Sequence, residues 1–221
     1  MKKTVLFLGL FMLVKLTVAQ DNLVKDGSFA YTTFMVNDLI KKTASKSVWF
    51  PFLTSNDQAM LAVEDTDKGK AASIKTLSKV SYAYSYIGQK IEESDIKEGV
   101  YRLTFLAKAT TGIPTYLAVY LRLKTPAQQF LFFPLNNYNP QETPGLSGAL
   151  KQIRMTNEWK EYTIDFDLGK TINGAAAPTN AREPIVLEKS TNENRKAFEV
   201  AFSCLTKNAG LLFTNVTLVK K

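Results

Sequence analysis

The sequence predicts an all-β fold, a sandwich or jelly roll, built as one domain. Three observations carry that reading. Apolar and polar residues alternate along several segments, turn residues separate those segments, and long helical periodicity is absent past residue 22. The chain has 221 residues, 45% of them hydrophobic and 22% charged, which is ordinary for one folded domain and speaks against disorder.

The first element is an address. Lys2 and Lys3 form a basic start, Thr4 to Val14 is an apolar run too short to span a bilayer, and Thr17 and Ala19 are small residues of the kind a signal peptidase reads. Lys15 interrupts the apolar run. Residues 1–19 are therefore expected to be a signal peptide, cleaved after Ala19, and residues 20–221 the folded domain. Export to the periplasm or the cell exterior follows. No Cys lies near the junction to carry a lipid, so no membrane attachment is expected after cleavage. Cleavage removes three lysines and no acid, which lowers the formal charge from +8 to +5. That mild basicity suits an anionic polymer or a solvated surface, and without a Lys/Arg block it does not point to nucleic acid.

The strands come next. Tyr101, Leu103, Phe105 and Ala107 face one way, and Arg102, Thr104, Leu106 and Lys108 the other. Leu117, Val119, Leu121 and Leu123 form an apolar row opposite Tyr116, Ala118, Tyr120 and Arg122. Tyr162, Ile164 and Phe166 alternate with Thr163 and Asp165, and Phe198, Val200, Phe202 and Cys204 repeat the pattern. Leu212 to Val219 is the last apolar segment. Turn residues at 97–99, 111–114, 124–126 and 208–210 punctuate these runs. Two stretches break the rhythm. Residues 125–157 hold Pro126, Pro134, Pro140 and Pro144, and residues 169–196 are rich in Gly, Ala, Asn and Pro, so both read as long loops.

Composition closes off much chemistry. The chain has no His, which removes His-based triads, His bases and His-ligated metals. Its single Cys, Cys204, excludes an intramolecular disulfide and sits on an alternating apolar face as a small hydrophobe. Carboxylate pairs such as Glu92/Glu93 and Asp65/Asp67 read as solvated turns rather than as the poised pair of a glycoside hydrolase.

Six short stretches, in order along nearly the whole mature chain, resemble carbohydrate-binding modules of families four and nine, within the galactose-binding-like jelly rolls. Asn22-Leu-Val-Lys-Asp-Gly-Ser-Phe29 resembles their opening strand and turn, and Trp49 falls where such modules often carry a tryptophan. Residues 69–80, 99–108, 156–162 and 210–218 resemble later strands, with Gly99-Val-Tyr-Arg-Leu-Thr-Phe-Leu-Ala-Lys108 the most specific match. The resemblance implies a jelly-roll fold, a saccharide partner and often a structural calcium. Here Ala30 replaces the opening acid and Thr214 and Asn215 the closing Asp pair, so a calcium site is disfavoured and no cofactor or metal is expected.

A saccharide needs flat aromatic faces for its C–H groups and amides, carboxylates or guanidinium for its hydroxyls. The expected carbohydrate-binding residues are Tyr116, Tyr120 and Arg122 on one strand face, Tyr82, Tyr84 and Tyr86 on another, Trp49, and Tyr138 within Asn136-Asn-Tyr-Asn-Pro140. The three tyrosines at 82–86 point outward if Ile87 and Ile91 are core; a bulge at Gly88 reverses them. Trp49 reads as a binding-loop residue or a core plug, and Trp159 as structural. The leading expectation is a non-catalytic sugar binder. The alternatives are a polysaccharide lyase using Tyr120 and Arg122, and an adhesive sandwich whose aromatic face binds protein.

Overall fold

Alternation along the chain becomes two stacked antiparallel sheets. The structure, a computed structural model, describes residues 21–36, 48–53, 58–78, 85–91, 99–124, 129–132, 152–168 and 197–221. Twelve strands lie within them: β1 (Met35–Val36), β2 (Trp49–Leu53), β3 (Ala59–Thr66), β4 (Gly69–Thr76), β5 (Ser85–Ile91), β6 (Gly99–Ala109), β7 (Tyr116–Lys124), β8 (Gln129–Phe132), β9 (Gln152–Arg154), β10 (Lys160–Leu168), β11 (Ala197–Cys204) and β12 (Gly210–Lys220). The first sheet runs β1-β3-β4-β12-β6-β10 and the second β2-β5-β11-β7-β8, with β9 also on β7. The described residues contain no helix, and the fold is a jelly-roll β-sandwich. The segment 1–19 lies outside the described residues.

The core is what the two inner faces share. Tyr101, Leu103, Phe105 and Ala107 of β6, Leu117, Val119 and Leu121 of β7, Ile164 and Phe166 of β10, and Val200, Phe202 and Cys204 of β11 are all buried in one cluster. Its centre is aromatic: Phe202 stacks on Phe213 at 4.2 Å and meets Phe105 edge-on at 5.3 Å. A bulge in β12 between Thr214 and Thr217, with Asn215 at φ +52°, resets the alternation. Leu211 and Phe213 before it and Val216 and Leu218 after it therefore all face inward. Burial pushes the Cys204 thiol up to about 11, as expected of an inert hydrophobe.

Residues 125–157 are not all loop. Gln129–Phe132 pairs with the end of β7 and Gln152–Arg154 with its start. Runs of three or four residues carry too little alternation to be seen in sequence, and their place comes from the backbone groups β7 offers.

The opening loop is tied down by side chains. Asn22 Oδ1 accepts from the Leu218 amide at 2.9 Å, and buried Gln89 clamps Lys25, accepting from its amide at 2.7 Å and donating to its carbonyl at 2.6 Å. Asp26 and Phe29 hold φ of +49° and +58°, a left-handed conformation that costs a non-glycine residue energy. The loop repays this locally. Asp26 carboxylate oxygens accept from the Tyr31 amide at 3.1 Å and the Thr32 hydroxyl at 2.7 Å, and the Phe29 ring packs on Trp49 at 4.8 Å. On the outside of the first sheet, Arg102 grips its cross-strand partner Asp165 with two bonds of 2.9 and 3.1 Å, and Lys221 adds a third at 2.6 Å.

Candidate functional site: the outer face of the second sheet

Strand alternation gives the second sheet an outer face as well as a core face. Trp49 and Leu53 of β2 point inward, while Phe50 and Phe52 pack on the other side. In β5, Ile87 and Ile91 are core and Tyr86 and Gly88 lie outside; in β7, Leu117, Val119 and Leu121 are core and Ala118 and Tyr120 outside. In β11 the outer residues are Glu199, Ala201 and Ser203. Pairing through Gly88 is continuous on both sides, so no bulge reverses β5.

The registers align these outer residues into rows. Phe50 pairs with Gly88, Gly88 with Ala201, and Ala201 with Tyr120. Next to it lie Phe52 opposite Tyr86 and Ser203 opposite Ala118. The middle of the face is thus floored by Gly88, Ala118, Ala201 and Ser203, between one aromatic bank on β2 and β5 and another on β7. Gly88 leaves the rings their room: a Cβ there would come within 3.1 Å of the Phe50 ring and 3.2 Å of the Tyr86 ring, so one of them would have to give by a few tenths of an ångström. Tyr86 stacks on Phe52 at 4.8 Å and meets Phe50 edge-on at 6.1 Å, which fixes all three rings. A third row, Lys90–Glu199–Arg122, puts a carboxylate between two cationic residue types at one end. Glu199 is only 5% exposed.

The expected binding residues fare differently. Trp49 is a core plug and not a sugar platform. It is 0% exposed, its indole N–H donates to the Asp26 carbonyl at 2.9 Å, and Phe29, Phe202 and Phe213 surround its ring. Tyr86 and Tyr120 lie on the outer face, apart from the inter-sheet core, but are 1% and 2% exposed. The expectation that both rings stand uncovered is corrected: Phe50, Phe52 and Leu205 pack against their cluster. Tyr116 is half-buried, at the end of β7, where Leu205 N–H donates to its carbonyl at 2.9 Å. Arg122 has its backbone between Glu199 and Leu131, and its side chain lies outside the described part. Tyr82, Tyr84 and Tyr138 also lie outside the described residues. Trp159 sits half-exposed on the first sheet, donating to Asp67 at 2.8 Å beneath the Lys108 ammonium.

Sequence reasoning missed Phe50, Phe52, Gly88, Ala201 and Glu199. The signal was present in the residues that alternate with a core row: Phe50 and Phe52 interleave with Trp49 and Leu53, and Glu199, Ala201 and Ser203 with Phe198, Val200, Phe202 and Cys204. A strand whose outer face is small and carries one acid offers a floor.

The acids that the resemblance associates with calcium are replaced here by Ala30, Thr214 and Asn215. Ala30 has no side-chain oxygen, the Thr214 hydroxyl donates to the Lys70 carbonyl at 2.7 Å, and the Asp26 carboxylate accepts from the Tyr31 amide and the Thr32 hydroxyl. Among the described residues no three acidic, His or Cys side chains converge.

No protein-family model matches the chain, and no curated protein matches its sequence. Solved structures do. A candidate sugar-binding protein from Bacteroides thetaiotaomicron VPI-5482 is 24% identical with a TM-score of 0.63, over 91% of this chain and 100% of that one. A CBM4 structure is 15% identical with a TM-score of 0.52, over 89% of this chain and 99% of that one. What this chain shares with both is the jelly-roll sandwich.

Proposed function

We propose that the chain is an exported, non-catalytic carbohydrate-binding protein, of the kind seen in families four and nine, that lays a saccharide chain along the outer face of its second sheet. The observation that carries the reading is the small floor of Gly88, Ala118 and Ala201, buried between two aromatic banks on the face that the inter-sheet core does not use. The half-buried rings of Phe50, Phe52 and Tyr116 serve as stacking surfaces, and Tyr86 and Tyr120 buttress them from below. Glu199 and Arg122 set orientation, since a carboxylate accepts from vicinal hydroxyls and a guanidinium donates to ring and hydroxyl oxygens. The fold neighbour described as a candidate sugar-binding protein supports the same ligand class.

Each ring stack contributes about 1 kcal/mol beyond the area it buries, so affinities from micromolar to millimolar are expected. A glycan array identifies the polysaccharide, and affinity electrophoresis on it then compares the protein with Phe50→Ala and Tyr116→Ala. Retention should fall about tenfold or more for each while Tm moves by a few degrees. Binding that falls only in step with stability would make the rings packing residues and sink the proposal.

A further inference from the structure

A second cleft lies on the other sheet, away from the aromatic trough. The chain runs beside β3 at Phe34, whose carbonyl accepts from the Val63 amide at 3.2 Å, then diverges through Thr33, Thr32 and Tyr31. The divergence opens a cleft of about 350 Å³ against Val63, Asp65 and Lys70. That size is at the small end of ligand sites.

The chemistry of its walls is mixed in a particular way. Phe34 and Val63, both packed on the core, give an apolar floor. Asp65 and Lys70 are cross-strand partners, yet they form no ion pair, and among the described residues neither side chain is bonded to another group. The Thr33 hydroxyl is equally uncommitted. Glu64, by contrast, is tied to Lys75 at 2.7 Å. The charges round the cleft therefore balance, which disfavours an anionic ligand and suits a neutral one rich in hydroxyls. An apolar floor with one free acceptor pair, one free ammonium and one free hydroxyl matches the C–H face and hydroxyl edge of a single sugar ring.

Tyr31 is 89% exposed, yet its amide is held by Asp26 at 3.1 Å, and the next residue, Thr32, by the same carboxylate.

We infer that this cleft is a second saccharide site, which takes one neutral pyranose unit between Thr33 and the Asp65/Lys70 pair. It shares the ligand class of the proposed trough and none of its residues.

The test is an amide NMR titration of the protein with the methyl glycosides of glucose, xylose and galactose, repeated with Asp65→Ala/Lys70→Ala. At least one glycoside should give saturable shifts at Thr33, Val63, Asp65 and Lys70. The double variant should weaken that response about tenfold or more, because two charged hydrogen bonds are lost, and should leave shifts on β5 and β11 unchanged. Asp65 is exposed and Lys70 only half-buried, so Tm should hold and a folding defect would be recognised. Shifts confined to the trough, or cleft shifts that survive the double variant, would overturn this site and leave the trough standing. Cleft shifts without any trough response would do the reverse.

Discussion

Trp49 and Phe50 are consecutive in one strand, as are Ala201 and Phe202 in another, yet each pair is split between two aromatic clusters. Trp49 and Phe202 belong to the inter-sheet core, where Phe29, Trp49, Phe105, Phe202 and Phe213 meet ring to ring and the opening loop is anchored through the Asp26 carbonyl. Phe50 and Ala201 belong to the outer face, where aromatic residues line the sides and the middle is kept small. The core is filled from both sheets, so its rings are held by shape. The outer face has one sheet beneath it and gains order from Gly88, on which the rings of Phe50 and Tyr86 rest. The core is the richer in rings; on the outer face the residues between the rings are small, and Ala118, Ala201 and Ser203 are themselves buried.

Changes at neighbouring positions sharpen that contrast. Phe202→Ala should have the largest effect, a loss of about 3–5 kcal/mol, since it empties the centre of the core and removes the stack with Phe213. Chemical denaturation measures it, and ligand retention should disappear with the fold. Ala201→Leu, one residue away, should cost about 1–3 kcal/mol from crowding, while glycan retention falls by more than that loss explains, because the side chain fills the floor. Unchanged retention in a folded Ala201→Leu protein would mean that the trough is not where sugar lies. Asp165→Asn, on the first sheet, should have the smallest effect. Arg102, and after it Lys221, holds the Asp165 carboxyl down from its ordinary 3.8 to about 2. The folded state therefore binds this proton more weakly than the unfolded chain. The stabilisation is complete above pH 4 and lost as pH falls toward 2. Thermal melts should show a drop of a few degrees for the variant at pH 7 that vanishes at the acid end, with glycan retention at neutral pH unaffected.

Much of this architecture is legible along the chain, and the reason is local. A strand shows its neighbours alternate faces, so the row Leu117, Val119, Leu121 declares itself core whatever lies across from it. The same rule puts Tyr120 outside, and with Ile87 as core it puts Tyr86 outside as well. How deep a residue sits is a different kind of fact. Tyr86 is covered because Phe52 lies across from it in β2 and Phe50 beside that, a pairing between segments that alternation does not relate. Trp49 reads equally well as platform or plug until Phe29 and Asp26 are placed against it. The sequence showed that the acids associated with calcium were replaced, but not that Asp26 would turn its carboxylate onto the opening loop itself.

The sequence alone determined the fold class, the faces of the long strands, the absence of histidine chemistry and the inert character of Cys204. These follow from residue identity and a period of two. Only the tertiary structure decided that Gly88, Ala201 and Tyr120 form one row, that Phe50 and Phe52 join it, and that the opening loop and Asp65 border a common cleft. Such neighbours are chosen by strand order and register, which depend on how two whole sheets bury their apolar faces together and leave no trace in the residues on either side of any one of them.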